Sequence, residues 1–366
     1  MKKIIFFMPN IERGGIEKNL LLLSNYFINK NYQVKIVYSS ISQEIKKKLN
    51  TKIMHDRSRK YIKFWFFSNR VNNSINCFIK LFFSKEKKDF NSIMISMQDH
   101  PFSIIACKKN GVKCILRIAN HPRESLIFFN NFINFKLKLF IKIFFYQFAD
   151  GIICNSLSSS KYLKSKIKNL KIVSIYNPIK LNKNNNNIKK NNYLLTVGRL
   201  EKQKNILGII KAFKYIHKKF HDYILLIIGS GKDEKSLKNF VKENNLQKKI
   251  KFIKFIDPRK YYANSKIFIL NSFFEGQPNV LIESLSHKLP IISSDCKSGP
   301  REILANGRYG FLSPVNDALS LSKKISYVLN NYKIAKNKSN LGHKSLNRFK
   351  VESQCLKYEK YINNLF

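Results

Sequence analysis

Short β-rich runs alternate with helical segments along this 366-residue chain, and that alternation limits the fold more than any other feature. At the start, KIIFFMP is strand-like, GGIEKNLLLLSNYFINK is helical and QVKIVYS is strand-like again. Further β-rich runs in the first half are SIMISM, KCILRIA, GIICNS and KIVSIYN. Such alternation is typical of a parallel sheet covered by helices. A doubly wound α/β domain is therefore predicted for residues 1–178.

The alternation breaks once, at the polar run PIKLNKNNNNIKKNN, which cannot contribute to a hydrophobic core. We interpret residues 179–192 as a linker. The pattern then restarts with YLLTVGRL as a strand and NILGIIKAFKYIHKK as a helix, which predicts a second doubly wound domain over residues 193–345. Residues 346–366 are expected to form a C-terminal helix that packs back on the first domain. Ligands of such domains bind at the carboxyl ends of the strands, here in a cleft between the two domains.

The charge of the chain is strongly unbalanced, with 68 Lys+Arg against 22 Asp+Glu and a net charge of +46. Lys, Asn, Ile and Phe are abundant together, as an AT-rich coding sequence would produce, and this accounts for part of the Lys excess. The surface is nevertheless expected to be cationic, which favours a polyanionic neighbour, either an anionic membrane or a nucleic acid. The hydrophobic content of 44% excludes a globally disordered chain.

The apolar runs are short. No run of 18 apolar residues occurs, because Lys136, Lys138 and Lys142 interrupt the best candidate. The first apolar run reaches only about six residues before Pro9, too few for a secretory signal. The six cysteines form no C-x-x-C pair, which favours reduced core cysteines and a reducing compartment. These features predict a cytoplasmic protein that is soluble or peripherally bound to a membrane.

Glycines follow two of the predicted strands. Gly14 and Gly15 come after IIFFMP and directly before a helix, and Gly231 follows YILLIIG. Glycine at a helix start allows the backbone to approach a phosphate, and the helix dipole favours negative charge there. The alternative interpretation of both sites is a tight turn without a ligand.

Two cations flank the junction TVGRLEKQKN. Arg199 follows a predicted strand, and Lys204 precedes an apolar helix. A planar guanidinium and a point-like ammonium at such a junction are suited to hold a diphosphate. The alternative for Lys204 is a solvated surface lysine, since lysine is abundant throughout the chain.

The stretch FFEGQPNVLIESL places two of the scarce acids eight residues apart. Glu275 lies in a loop after a predicted strand, and Glu283 lies about one turn into a helix that begins near Asn279. Carboxylate oxygens accept hydrogen bonds from vicinal diols, so Glu283 is suited to a ribose and Glu275 to sugar hydroxyls. The N–H groups of Asn279 and Val280 are in the first helical turn, where they can meet a phosphate.

The histidines give one candidate. RIANHPRE follows the strand KCILRIA and places His121 at the carboxyl end of a strand, whereas the alternative is a surface-loop histidine beside Pro122. His100 has a weaker case of the same kind. His217 and His221 have the spacing of a metal pair but no acidic third ligand, so no metal site is predicted.

Two stretches, residues 61–88 and 125–148, are aromatic and basic together. Phe at helical spacing with interleaved Lys is typical of a helix in an anionic membrane interface. The same composition is also compatible with core helices that carry a lysine face, or with single-stranded nucleic acid. The nucleic-acid interpretation lacks a supporting strand pattern.

Taken in order, the motifs resemble those of the family-4 retaining glycosyltransferases. The second half carries the resemblance in GRLEKQKN, LLIIGSGKDEKSL, KIFILNSFFEGQPNVLIES and IISSDCKSGPREIL…GRYGFL, and the first half in NIERGGIEKNLLLLSNYF, ADGIICNS and VSIYNP. It covers nearly the full chain and is weakest at residues 42–90. It implies the GT-B fold, in which two Rossmann-like doubly wound domains face each other across a cleft.

The resemblance also implies roles for the residues above. In that family the two glutamates contact the donor's sugar and ribose, and the Arg/Lys pair holds its diphosphate. Glu275, Arg199 and Lys204 are therefore expected to be catalytic and Glu283 to bind the donor, while a histidine of the family in this region adds His121 to the catalytic candidates. No cofactor is implied beyond the nucleotide sugar, and front-face attack with retention is expected.

The run SSDCKSGPREIL further looks like enzymes that build bacterial surface polysaccharides and lipid-linked oligosaccharides. This implies a UDP-linked GalNAc, GlcNAc or Gal donor and a polyprenyl-diphosphate-linked or glycan acceptor at the cytoplasmic face of an anionic inner membrane, with no nucleic acid as partner. Gln277, Ser284 and Lys254 depart from the family pattern, which leaves the sugar open.

Other functions are compatible with parts of the pattern. One is a basic membrane- or nucleic-acid-binding protein on an inactive GT-B scaffold, against which the intact Arg, Lys and Glu residues argue. A GT-B epimerase is another, and a phosphorylase would need a cofactor-lysine signature that the sequence lacks.

Overall fold

The structure is a computed structural model that describes residues 2–12, 14–58, 64–65, 68–83, 91–98, 100–129, 132–181, 190–254 and 256–366. Most of the predicted linker, residues 182–189, and several residues of the stretch 61–88 lie outside these ranges. The chain divides into two units, the first formed by Met1–Ile179 with Phe349–Phe366 and the second by Lys180–Arg348. The C-terminal segment is thus part of the first unit.

A parallel sheet of seven strands is the centre of the first unit within its described residues. Its strands, with two short flanking ones, are β1 (Lys3–Phe7), β2 (Asn10–Ile11), β3 (Gln33–Tyr38), β4 (Ser40–Ile41), β5 (Met54–Arg57), β6 (Ser92–Ser96), β7 (Lys113–Ile118), β8 (Gly151–Cys154) and β9 (Ile172–Ser174). The order across the sheet is β5-β3-β1-β6-β7-β8-β9, and β2 pairs separately with β4. The chain therefore reverses its direction of travel between β1 and β6.

Helices cover this sheet. They are α1 (Gly15–Asn29), α2 (Gln43–Lys48), α3 (Asn69–Phe82), α4 (Pro101–Asn110), α5 (Pro122–Phe129), α6 (Phe132–Tyr146) and α7 (Leu157–Lys164), and the C-terminal helix of the chain, Val351–Asn363. The C-terminal helix contributes Tyr358 and Ile362, both 0% exposed, to the core formed by β1, β3 and α1. Burial of such large apolar side chains is the main source of stability of this unit.

The second unit repeats the design. Its strands are β10 (Tyr193–Val197), β11 (Ile224–Ile228), β12 (Ile250–Ile253), β13 (Ile267–Leu270), β14 (Ile291–Ser294) and β15 (Phe311–Ser313), all parallel, in the order β12-β11-β10-β13-β14-β15. Its helices are α8 (Ile206–Ile216), α9 (Glu234–Glu243), α10 (Arg259–Asn264), α11 (Asn279–Ser286), α12 (Pro300–Ile303), α13 (Ala318–Asn330) and α14 (Tyr332–Lys344), so that the C-terminal helix is α15. Near-continuous apolar strands such as ILLII fit a sheet that is buried on both faces. The predicted α/β class with two doubly wound parallel sheets is confirmed.

The chain passes between the units twice, after Ile179 and before Phe349, and these two residues lie side by side within the first unit. The N–H group of Ile179 donates to the carbonyl of Phe349 over 2.9 Å, and the Phe349 ring contacts Tyr176. Nearby, the buried guanidinium of Arg117 donates to the hydroxyl of Tyr358 on α15 and to the amide oxygen of Asn177. These contacts fix α15 to the sheet of the first unit.

Membrane-spanning helices are absent from the described residues, since none of the helices there is both long and apolar enough to cross a bilayer. All six cysteines lie among the described residues, where they are buried and form no disulfide bond.

Candidate active site

The carboxyl ends of the strands in the second unit bring the predicted donor residues to one edge of the sheet. The loops after β10, β13 and β14 emerge here, and we call this edge the second carboxyl edge (residues 198–205, 271–278 and 295–299). β10 and β13 are neighbours in the sheet although β11 and β12 separate them in sequence. The loop that carries Arg199 and Lys204 therefore lies beside the loop that carries Glu275.

A buried ion pair joins these two loops. The ammonium of Lys204 lies 2.6 Å from Glu275 Oε1, with side-chain exposures of 17% and 6%. The hydroxyl of Ser272 donates to the same oxygen, also over 2.6 Å. The sequence pattern placed Glu275 in a loop and indicated neither the ion pair nor the serine. In the structure Glu275 is 5% exposed and is held from two sides.

Arg199 is in a different environment, because its side chain is 54% exposed and pairs with the neighbouring Glu201 over 2.9 Å. Its guanidinium also donates to the amide oxygen of Gln203. Gln203 in turn donates to the carbonyl of Phe274 and accepts the N–H of Phe273 at its own carbonyl, which fixes the Arg199 loop to the Glu275 loop. The arrangement presents one exposed cation and one partly buried cation in the same loop.

The helix expected near Asn279 begins at that residue, so Asn279 and Val280 occupy its first two positions. Glu283 lies one turn further and accepts a hydrogen bond of 3.0 Å from the hydroxyl of Tyr262 on α10. Burial, followed by the charge of Glu283, raises the pKa of Tyr262 well above its ordinary value. Tyr262 therefore remains a hydroxyl donor that orients the Glu283 carboxylate.

Two glycines, one in the second carboxyl edge and one in the neighbouring loop after β11, allow close contacts between backbones. A Cβ at Gly231 would lie 2.3 Å from the carbonyl oxygen of Leu200, so this predicted phosphate turn packs tightly against the Arg199 loop. Gly299 has φ +87°, and a Cβ there would lie 2.2 Å from the carbonyl oxygen of Gly276. No other residue type fits at either position without moving a loop.

Cys296 lies close to the buried ion pair. Its pKa is raised to about 12, first by burial and then by the negative charge of Glu275, while Lys204 acts in the opposite direction. The thiol is therefore protonated and is unsuited to be a nucleophile.

In the first unit, Gly14 and Gly15 are at the start of α1 as predicted, and both are exposed. The carboxylate of Glu17 lies over this turn, since a Cβ at Gly14 would be 2.6 Å from Glu17 Oε2. A phosphate at this turn would meet a negative charge, which the glycine pattern alone does not reveal. The structure shows that the carboxylate is buried at this turn, because Glu17 is 5% exposed.

His121 is buried at 5% exposure and is not the surface-loop histidine of the alternative interpretation. Its Nδ1 accepts the N–H of Glu124 over 3.4 Å, which caps the first turn of α5, and its ring lies 5.1 Å from that of Tyr162. His100 precedes α4 and stacks edge-on against Phe7 of β1. Both histidines follow strands of the first sheet, and neither is assigned a role by these contacts.

The comparisons with known proteins find similarity to glycosyltransferases. Residues 178–345 match the model of the family described as Glycosyl transferases group 1. An uncharacterized glycosyltransferase of Methanocaldococcus jannaschii is 32% identical over 60% of this chain, which spans only 54% of that relative. The N-acetylgalactosamine-N,N'-diacetylbacillosaminyl-diphospho-undecaprenol 4-alpha-N-acetylgalactosaminyltransferase of Campylobacter jejuni is 28% identical over 98% of this chain and 99% of its own.

Among solved structures, the crystal structure of Anabaena HepE in complex with UDP-glucose superposes with a TM-score of 0.82. The match covers 100% of both chains at 15% identity, which establishes a common fold. Residues 178–345 therefore match the Glycosyl transferases group 1 family, and the chain has the GT-B fold.

Proposed function

We propose that this enzyme moves a hexose or N-acetylhexosamine, with retention, from a UDP-linked sugar to a lipid-linked or growing surface glycan. The observation that carries the proposal is the Lys204–Glu275 ion pair in the loops that also hold Arg199, because it joins the predicted diphosphate-binding cation to the predicted sugar-binding carboxylate. The relatives support the two substrates, since HepE is seen with UDP-glucose and the Campylobacter jejuni relative is named for a diphospho-undecaprenol acceptor.

The leaving group determines the role of the cations. When the bond between the sugar's anomeric carbon and the diphosphate breaks, its electron pair goes to the phosphate oxygen, and negative charge builds there. Arg199 and Lys204 would neutralise this charge, which grows between the bound donor and the transition state, and no metal ion is required. The acceptor hydroxyl attacks from the face that the diphosphate leaves, and its proton goes to the departing phosphate.

The two carboxylates would hold the donor without attacking it. Glu275 is fixed by Lys204 and Ser272, which leaves it suited to orient sugar hydroxyls. Glu283, oriented by Tyr262, would accept hydrogen bonds from the ribose. The N–H groups of Asn279 and Val280 would contribute to binding the diphosphate, as would the turn at Gly231.

An anionic membrane on the cytoplasmic side is the proposed location of the acceptor. The described part of α6 exposes apolar side chains at the spacing of one helical face: Leu137 (58%), Phe140 (68%), Ile141 (43%) and Phe144 (47%). Lys136 and Lys138, also exposed, lie on the same helix. An apolar face accompanied by lysines fits the interface of a bilayer that contains anionic lipid. A nucleic acid is not expected as partner.

The function is tested with the purified protein and a panel of UDP- and GDP-sugars, using an undecaprenyl-diphosphate-linked N-acetylhexosamine as acceptor. Transfer from a UDP-sugar is expected, with an α-linked product by NMR and undiminished rate in EDTA. UDP is also expected to raise the unfolding temperature. Absence of transfer from every sugar, together with no effect of UDP on unfolding, would instead indicate an inactive scaffold.

The membrane location has its own test. Replacement of Lys136, Lys138 and Lys142 by Gln is expected to weaken binding to vesicles that contain phosphatidylglycerol, because each lysine near an anionic surface contributes about 1 kcal/mol. The matched control replaces three lysines of the second unit, Lys235, Lys242 and Lys248, by Gln. Equal loss of binding in both variants, or binding that ignores lipid charge and salt, would overturn this location.

A further inference from the structure

Tyr262, the hydroxyl partner of Glu283, lies on α10, a helix of only six residues. A helix this short is not stable by itself, because its few hydrogen bonds do not offset the cost of ordering the backbone. At its C-terminal end, the ammonium of Lys190 donates to the carbonyls of Ala263 (3.1 Å) and Ser265 (3.0 Å). These bonds hold the backbone of α10, while the ring of Tyr262 is held by neighbouring side chains.

The ring of Tyr262 contacts two other rings. That of Phe268 on β13 lies 5.7 Å away at an interplanar angle of 56°, and that of His287 lies 5.5 Å away at 31°. Such distances between ring centroids are favourable for aromatic pairs. Tyr262 is 1% exposed, so close packing leaves its ring little room to turn. The two neighbouring rings therefore determine where the hydroxyl that reaches Glu283 lies.

His287 is itself anchored to the main chain of Glu283. It caps the C-terminal end of α11, and its Nδ1 lies 2.9 Å from the carbonyl oxygen of Glu283. Burial lowers the pKa of His287, which keeps the ring neutral at pH 7, although the bond to Glu283 acts in the opposite direction. Because a carbonyl oxygen only accepts hydrogen bonds, Nδ1 carries the single proton of the neutral ring. His287 therefore donates to the residue whose carboxylate Tyr262 contacts.

These contacts form a closed circuit around Glu283. Its carboxylate accepts from the Tyr262 hydroxyl, the Tyr262 ring packs on His287, and His287 donates to the Glu283 carbonyl. Ordering a glutamate side chain costs rotamer entropy. A circuit that has already ordered the side chain in the free protein removes this cost from the binding of a ligand.

We propose that His287 is a positioning residue for recognition of the donor's ribose, an inference that rests on the role of Glu283 in the proposed function. His287 fixes the ring of Tyr262, and Tyr262 orients the Glu283 carboxylate toward the two ribose hydroxyls. All three residues belong to the second unit, and His287 acts only through the other two. A carboxylate fixed in this way favours a ribonucleotide, because it loses its hydrogen bonds when the hydroxyls are missing.

A matched control for His287 exists in the same unit. His217 caps the C-terminal end of α8, its Nδ1 lies 2.8 Å from the carbonyl oxygen of Lys214, and its ring lies 6.3 Å from that of Phe213. It therefore shares the helix position, the carbonyl contact and the aromatic neighbour of His287. Phe213 has no hydroxyl, so His217 cannot orient a carboxylate through it.

The test measures the binding of UDP and of 2′,3′-dideoxy-UDP by calorimetry. The unmodified protein is expected to prefer UDP. His287→Ala is expected to reduce this preference by about three- to tenfold, which is part of the roughly tenfold or more that a hydrogen bond to a charged group contributes. Affinity for 2′,3′-dideoxy-UDP should stay within about twofold, because this nucleotide makes no bond to the carboxylate. The control His217→Ala should leave both affinities unchanged.

Two further variants test the path through Tyr262 and Glu283. His287→Phe keeps a ring against Tyr262 and should retain most of the preference for UDP. In a Glu283→Gln background, His287→Ala should have no additional effect, because both changes act on one interaction.

Several results would overturn the inference. One is a full preference for UDP in His287→Ala, and another is an equal weakening of both nucleotides, which would indicate a general structural role. A loss in His287→Phe as large as that in His287→Ala, or additive losses in the double variant, would also contradict it. All of these leave sugar transfer by the unmodified enzyme intact, whereas failure of the proposed function appears as an unmodified enzyme that transfers no sugar.

Discussion

The two sheets end in edges of opposite character. At the second carboxyl edge, each predicted cation is matched with a carboxylate, Lys204 with Glu275 and Arg199 with Glu201. The loop after β1 in the first unit is instead held by amides and hydroxyls, with one buried acid, Glu17. Similar sheets thus end in paired charges in one unit and in a neutral hydrogen-bond network with one buried acid in the other.

This difference indicates that the role of a charged group in this protein depends more on how deeply it is buried than on its residue type. The Lys204 side chain is 17% exposed in its pair, whereas the Arg199 side chain is 54% exposed. If the comparison is right, changes at the second edge should affect the donor, and the changes at buried pairs should also affect stability. Each of the following experiments tests this comparison.

The largest effect is expected for Lys204→Ala, which leaves the buried Glu275 without its cation. Loss of one partner of a buried pair costs about 3–5 kcal/mol in unfolding free energy. Loss of a group that stabilises the leaving charge lowers kcat by about 10²- to 10³-fold. Chemical denaturation and steady-state kinetics measure both quantities.

The double variant Lys204→Ala with Glu275→Gln is the control for that experiment. It should recover much of the lost unfolding free energy, because no unpaired charge remains buried, but it should recover no activity. Recovery of turnover would show that Lys204 acts only on stability.

The next effect is expected in donor affinity. Glu283→Ala removes a charged acceptor and should weaken binding of the UDP-sugar by about 1.5–3 kcal/mol, measured by calorimetry. Tyr262→Phe keeps the carboxylate but removes its hydroxyl partner, and should weaken binding by about 1 kcal/mol. Unchanged affinity in Glu283→Ala would remove this residue from the ribose site.

Arg199→Ala is expected to lower turnover while leaving the unfolding free energy nearly unchanged. Its pair with Glu201 is largely exposed, so the unfolding free energy should change by less than about 1 kcal/mol. Turnover should still fall by roughly tenfold or more, with a smaller change in donor KM, since the leaving charge is larger in the transition state than in the bound donor. A rise in KM alone would contradict the leaving-group role.

The smallest effect concerns the first unit and pH. Because the folded-state pKa of Glu17 is raised, the stability that its protonated form contributes is present below its unfolded pKa and is lost as pH rises through the folded value. Glu17→Gln should therefore gain stability relative to the parent as pH rises from 4 to 8. A stability difference that does not vary with pH would show that Glu17 is unperturbed.

Local features of the fold could be predicted from the sequence. The start of α11 at Asn279, for example, follows from Pro278 and the apolar spacing that comes after it. The Lys204–Glu275 pair could not, because its partners are 71 residues apart in sequence and meet only because β10 and β13 are neighbours. Strand order is a tertiary property that alternation of elements does not specify.

The burial of individual polar side chains could not be predicted from the sequence either. His121 was open to interpretation as a loop residue, but it caps α5 from a buried position. Glu17 is one of two acids close together in a glycine-rich turn, and only the packing distinguishes it from the exposed Glu12. A single sequence gives the identity of an acid but not the dielectric around it.

The division of the chain has a consequence for its synthesis on the ribosome. The core of the first unit includes Tyr358 and Ile362, which are made about 180 residues after Ile179, whereas the second unit is continuous in sequence. At typical rates of 5–20 residues per second, synthesis of α15 follows synthesis of Ile179 by roughly 10–30 s. The second unit can therefore complete its fold before the first. Limited proteolysis of nascent chains halted beyond residue 348 should show a protected second unit and a first unit that is still cleaved.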